Sequence, residues 1–168
     1  MAEHQAPMTG GIRIRPARPG DEALVLSFIR ELAEYEKLQH EVVATEAAVA
    51  AALFGVRPRA YCDLAYADRE PAGFALWFYN FSTFLAKPGI YLEDLFVRPQ
   101  FRGRGIGKAL LASLAQRAIE QDCRRLEWWV LDWNTPSIEF YKSLGAQPMD
   151  EWTVFRVAGD ALAKLAKA

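Results

Sequence analysis

Arg102-Gly103-Arg104-Gly105-Ile106-Gly107-Lys108 stands between two segments of different periodicity. Ahead of it, Ile90-Tyr91-Leu92-Glu93-Asp94-Leu95-Phe96-Val97 reads as a buried strand. Behind it, Ile106, Leu110, Leu114 and Ala118 recur every four residues, as one face of a helix does. Pro99, with no N–H to give a ladder, helps to end the strand. Strand, glycine-rich basic turn and helix start together make an anion cradle. Backbone N–H groups left free by glycine point at the anion, and the positive end of the helix dipole adds to the attraction. Three glycines with Arg98, Arg102, Arg104 and Lys108 are more than a simple turn requires. The P-loop does not fit, because only three residues separate Gly103 from Gly107 and Ala109 follows the lysine where Mg²⁺ needs a hydroxyl. The dinucleotide fingerprint also fails, since its third glycine falls on Lys108. What is present is Arg-x-x-Gly-x-Gly, at Arg102, Gly105 and Gly107.

Working outward, Ile12 to Arg15 alternates apolar and basic residues and predicts a first strand. Asp21 is placed to cap a helix running to about Lys37, with Leu24, Phe28, Leu32 and Tyr35 on one side. Thr45 caps a second, alanine-rich helix that ends near Gly55. Two strands follow, Ala60 to Ala67 and Ala72 to Phe81, joined by a tight turn at Asp68-Arg69-Glu70. A linker from Asn80 to Gly89 leads into the central strand. Leu126 to Leu131 is a further strand, and Asn134-Thr135-Pro136 opens a helix that Gly145 ends. Trp152 to Val157 reads as a last strand, and Gly159-Asp160 starts a terminal helix. The order β-α-α-β-β-β-α-β-α-β predicts an α/β fold. Its single domain over 12–168 has a mixed, mainly antiparallel sheet flanked by helices, and follows a disordered tail over 1–11.

With 168 residues, 52% of them hydrophobic, and a net charge of -1, the chain has the balance of an ordinary globular protein. Neither nucleic acid nor membrane is expected as a partner, because the domain is not basic and no apolar run is long enough to span a bilayer. The polar start lacks the apolar core of a secretory signal, and Cys62 and Cys123 lack ligand-like spacing. Both points suit packed thiols in a reducing cytoplasm. Of the two histidines, His4 lies in the tail, so a nucleophile triad or multi-histidine metal site would rest on His40 alone. Metal-free chemistry is expected.

The Arg-x-x-Gly-x-Gly turn resembles the acetyl-CoA pyrophosphate loop of the GNAT superfamily of N-acetyltransferases. A second stretch, Trp133-Asn134-Thr135-Pro136-Ser137-Ile138-Glu139-Phe140-Tyr141-Lys142-Ser143-Leu144-Gly145-Ala146, is similar to the segment that holds the CoA arm in that family and supplies a tyrosine to the thioester. With Tyr91-Leu92-Glu93-Asp94 and Glu31-Leu32-Ala33-Glu34-Tyr35-Glu36, the chain looks most like the spermidine/spermine (diamine) N-acetyltransferase branch. The resemblance implies acetyl-CoA as co-substrate, no metal, and a cytoplasmic homodimer. It implies cofactor contacts from Leu95, Phe96, Val97, Arg102, Gly103, Arg104, Gly105, Ile106, Gly107 and Lys108, with Asn134 and Ser137. For the small amine substrate it points to Tyr35, Glu36, Glu93, Glu127, Trp128, Trp129 and Glu151. Two departures stand out: Leu144 replaces a basic residue of the family, and the linker from Asn80 to Gly89 carries Phe81 and Phe84 where the diamine branch has a more polar, tryptophan-bearing segment.

Acetyl transfer to an amine needs an uncharged nucleophile, yet an alkylammonium has a pKa near 10.4, so deprotonation at pH 7 costs roughly 4.6 kcal/mol. Glu93 is the candidate base or proton relay, since Glu93-Asp94 interrupts an apolar run. In a regular strand Asp94 would alternate to the opposite face. A bulge in the central strand would expose the N–H of Leu95 or Phe96 to a developing oxyanion. Following the family's tyrosine at this motif position, Tyr141 is the general acid for the departing thiolate. Acids beside aromatics suit an aliphatic polycation, so a polyamine or diamine acceptor leads. An amino-acid side chain such as that of thialysine, and a non-catalytic acyl-CoA-binding module, are the alternatives.

Overall fold

Five strands pair in chain order in the computed structural model, which describes residues 11–168: β1 (Ile12–Pro16), β2 (Tyr61–Ala67), β3 (Glu70–Ser82), β4 (Lys87–Val97) and β5 (Leu126–Trp128). The tail expected over 1–11 lies, Gly11 apart, outside the described residues, as does His4. β1 to β4 are antiparallel, and β5 is parallel to β4 after the crossover through helix α3 (Ile106–Glu120). Helices α1 (Glu22–Tyr35) and α2 (Glu46–Phe54) fill the long connection from β1 to β2. The chain divides into two compact units, the first ending at Trp129 and the second running from Val130 to Ala168.

Within the first unit, α1 and α3 cover opposite faces of the sheet. Adjacent β2 residues show this. Leu64 joins the α1 cluster of Val25, Phe28 and Leu32, whereas Asp63 meets Arg117 of α3. Phe28 stacks on Phe74 at 5.3 Å and meets Phe96 edge-on at 6.5 Å. Each such side chain, removed from water, contributes about 1.5–3 kcal/mol. On α3, Ile106, Leu110, Leu114 and Ala118 are buried, as their spacing predicts. Both cysteines are free and buried.

Several local expectations are corrected. Asp21 precedes α1 but does not cap it. Its carboxylate is held instead by Arg15, at 2.6 and 2.9 Å, and by the Arg18 N–H. Thr45 does cap α2, accepting from the Ala48 N–H. The stretch 80–89 is a hairpin, not a linker, because β3 runs on to Ser82 and β4 already begins at Lys87. Asp68 and Arg69 both take positive φ, which matches the twist of the β2–β3 hairpin. β5 has three residues rather than the six expected. In the second unit a turn closes at once, with the Asn134 N–H donating to the Leu131 carbonyl. There α4 (Thr135–Ser143) starts at Asn134 with Pro136 in its first turn, and Gly145 follows it with φ of 89°. The last strand is absent. Trp152 to Val157 is without regular structure and exposed, with Phe155 at 90%, since strand-forming residues need a partner strand to pack on. The terminal helix α5 (Gly159–Leu165) forms as read.

Candidate active site

After β4 the chain makes a short 3-10 turn, Pro99–Phe101, and enters α3 through two left-handed glycines, Gly103 (φ 75°) and Gly105 (φ 81°). A Cβ on either would meet no protein atom within 4 Å, so their backbone faces open space, and the positive φ is what demands glycine. Ile106 is buried, and Gly107 and Lys108 lie in the first turn of the 15-residue α3. Arg102 lies over the Tyr35 ring at 4.9 Å and donates from Nε to the Val97 carbonyl. Arg104 pairs with Asp68 at 2.7 Å. Arg98, counted among the basic residues of the cradle, is a strut. It grips Glu31 with Nε and a terminal nitrogen, and lies over Phe28 at 4.6 Å. The remaining groups fit a pyrophosphate: a helix N-terminus, open glycines and three exposed cations.

One residue of β4 decides the other half of the site. Leu76 of β3 faces Asp94 while Trp77 faces Leu92, so Glu93 is the extra residue of a bulge. Alternation is broken, and Asp94 falls on the face it was expected to leave. Leu76, Phe78 and Asn80 lie on one face of β3, and opposite them stand Asp94, Tyr91 and Gly89 of β4. Asp94 is half-buried and has no hydrogen-bond or ion-pair partner among the described residues. Its burial, with Glu93 and Glu36 nearby, pushes its carboxyl up to about 7. Glu36, at the end of α1 beside Tyr35, is also raised by burial. Burial lifts the Tyr91 hydroxyl to about 12, helped by Glu93 and Glu127. Leu95, Phe96 and Val97 run past the point where β5 ceases to pair with β4.

Glu127 faces Tyr91 across the β4–β5 pair and accepts a hydrogen bond from Asn80 Nδ2 at 2.9 Å. Trp129, 59% exposed, meets the Tyr91 ring edge-on at 5.9 Å. Trp128 pairs with Leu92 and so lies on the α3 face, away from the acids it was grouped with. Trp128 is half-buried there, whereas Trp129 is exposed. The structure therefore brings Tyr35, Glu36, Glu93, Glu127 and Trp129 to one face, and adds Asp94, which sequence reasoning had set apart. No residue type announces a bulge; the adjacent acids in Leu92-Glu93-Asp94-Leu95 were its one trace.

In the second unit, the Asn134 side chain is 5% exposed and accepts from the Ser137 N–H, capping α4. Tyr141 is half-buried on α4 with its ring 5.5 Å from Phe140. Glu151 is exposed, beyond α4. Among the described residues no group of three or more His, Cys, Asp or Glu could hold a metal ion, and no helix is long and apolar enough to cross a membrane.

An anion cradle at the end of a bulged central strand, next to an acidic and aromatic face, suits a phosphate-bearing co-substrate and a cationic acceptor. The chain belongs to the Acetyltransferase (GNAT) family, whose profile matches residues 26–146. It is an acetyl-CoA-dependent N-acetyltransferase. It is 40% identical to the thialysine N-epsilon-acetyltransferase of Bos taurus, over 92% of this chain and 97% of that protein. It is 34% identical to the L-ornithine N5-acetyltransferase NATA1 of Arabidopsis thaliana, over 92% of this chain and 88% of that protein. The solved structure of an integron cassette protein from the mobile metagenome of V. cholerae superposes with a TM-score of 0.78 at 32% identity, covering 94% of this chain and 99% of that one.

Proposed function

We propose that the acceptor is a small molecule with two charged ends, and that the enzyme acetylates the side-chain amine of an amino acid of the lysine or ornithine type. The unpaired, half-buried Asp94 beside Glu93 and Glu36 carries this reading, because it gives an incoming ammonium a desolvated carboxylate to bind and titrate against. The thialysine and ornithine enzymes among the relatives favour the amino acid. Acetyl-CoA supplies the activated acetyl thioester; Leu95, Phe96 and Val97, the turn from Arg102 to Lys108, and Asn134 with Ser137 are the residues proposed to hold it. Glu93 and Asp94 take the proton from the ammonium and pass it to solvent, a step that the Asp94 carboxyl, pushed up to about 7, suits better than an ordinary one. Tyr141 holds a proton for the departing thiolate.

A polyamine acceptor is the second reading, favoured by the number of acids on this face: Glu36, Glu93, Asp94 and Glu127. An amine panel assayed with acetyl-CoA by free-thiol release separates the two. Thialysine and ornithine are expected to exceed putrescine and spermidine in kcat/KM, and the reverse order establishes the polyamine reading. The cytoplasmic homodimer implied by the resemblance is likewise a proposal, tested by light scattering and cell fractionation.

A further inference from the structure

Asn80, Gly89, Arg125 and Glu127 make an arrangement that acetyl transfer by itself does not call for. Asn80 reaches across β4 to Glu127 on β5, and it passes over Gly89, where any Cβ would collide with the Asn80 amide oxygen and crowd the Arg125 carbonyl at 3.3 Å. A side chain at position 89 would therefore push the Asn80 amide away from its place against Glu127. Glu127 is braced through Oε2 alone. Arg125, two residues earlier and on the same face of the strand, stands with Nε 3.7 Å from that oxygen, an ion pair outside hydrogen-bond range. Both charged groups therefore keep bonding capacity to spare, and both are partly open to solvent, at 43% for Arg125 and 37% for Glu127.

We propose that Arg125 and Glu127, the latter braced by Asn80 across the Gly89 gap, clamp the head group of an α-amino acid acceptor: Arg125 takes the α-carboxylate and Glu127 the α-ammonium. This rests on the amino-acid reading of the acceptor. The rows of the sheet give the length. Glu127 stands in the row of Tyr91 and Phe78, and Asp94 in the row of Leu76, two residues further along β3. Two residues along a strand and one strand across place their backbones about 8 Å apart. An extended lysine-like side chain puts about 7 Å between its two amines, so one end reaches Glu127 while the other lies beside Asp94 and Glu93. Arg125 supplies the discrimination. It attracts a carboxylate next to the ammonium and repels the bare second ammonium of a diamine. A guanidinium fork suits a carboxylate in a way that Glu127 alone could not.

The test compares thialysine, its methyl ester and putrescine as acceptors for the full-length enzyme and for Arg125→Gln, Asn80→Ala and Glu127→Gln, with CoA affinity and melting temperature as controls of folding. Arg125→Gln is expected to raise KM for thialysine by about 10- to 100-fold, the worth of a charge-assisted hydrogen bond. KM for the methyl ester should change less than about twofold and kcat should hold, the signature of lost ground-state binding. Glu127→Gln should raise KM for thialysine and its ester alike, with Asn80→Ala a weaker copy of it. If wild type prefers putrescine to thialysine, the amino-acid reading fails and the clamp with it. If wild type prefers thialysine but Arg125→Gln leaves its KM unchanged, or raises KM for acid and ester equally, the clamp alone is refuted.

Discussion

Asp94→Asn is the substitution for which the structure yields a number. Asp94 has an ordinary carboxyl in the unfolded chain, with a reference value of 3.8, and is pushed up to about 7 when folded. Between those values the native state holds the proton more tightly than the unfolded state, so stability falls as pH rises from about 4 to about 7 and is level above. Three units at 1.36 kcal/mol each give an upper bound of about 4 kcal/mol for the ionised carboxylate at pH 8. Part of that is already incurred at pH 5, which leaves a difference of about 1–3 kcal/mol between the two conditions. Asparagine fills the same space and never ionises. Urea denaturation of wild type and Asp94→Asn at pH 5 and pH 8 should therefore show the variant gaining about 1–3 kcal/mol on wild type in going to the higher pH. The same variant should lose activity, whereas kcat/KM of wild type should climb through pH 7 as Asp94 ionises. A stability difference that is the same at both pH values would show that Asp94 titrates normally, and the proton relay would then have to rest on Glu93 alone.

Gly105→Val forces a β-branched residue to φ of 81° and fills the open side of the cradle, so CoA binding measured by isothermal titration should vanish in a protein that still folds. Tyr141→Phe should keep acetyl-CoA affinity and lower kcat by roughly 10²–10⁴; turnover near the wild-type rate would make the tyrosine structural. On the α3 face, Asp63 is 2% exposed, accepts from Trp77 Nε1 at 3.0 Å and pairs with Arg117 at 3.3 Å. Arg117→Met leaves that carboxylate buried with one partner and should cost about 2–4 kcal/mol in urea titrations at pH 7. Burial already holds the Asp63 carboxyl above its usual range, so this loss should shrink as the pH is lowered and Asp63 protonates.

What was legible in the chain was what depends on neighbours in sequence. The four-residue recurrence from Ile106 to Ala118, Thr45 before its alanine-rich run and Asn134 before Pro136 each set a helix by local geometry, and each is found as read. The glycine turn was legible for the same reason, because a left-handed φ is a property of one residue. Tertiary structure alone decided what depends on pairing. Asp21 followed the stronger partner, the Arg15 guanidinium, and so left its helix uncapped. Trp152 to Val157 has strand-forming residues and forms no strand, since β structure is stabilised by the partner and not by the segment itself. The acidic face was decided by one extra residue in the β3–β4 register. A side-chain period of two makes a slip of one residue turn Asp94 from one side of the sheet to the other, so the residue read as standing apart from Glu93 joins it beside Glu36.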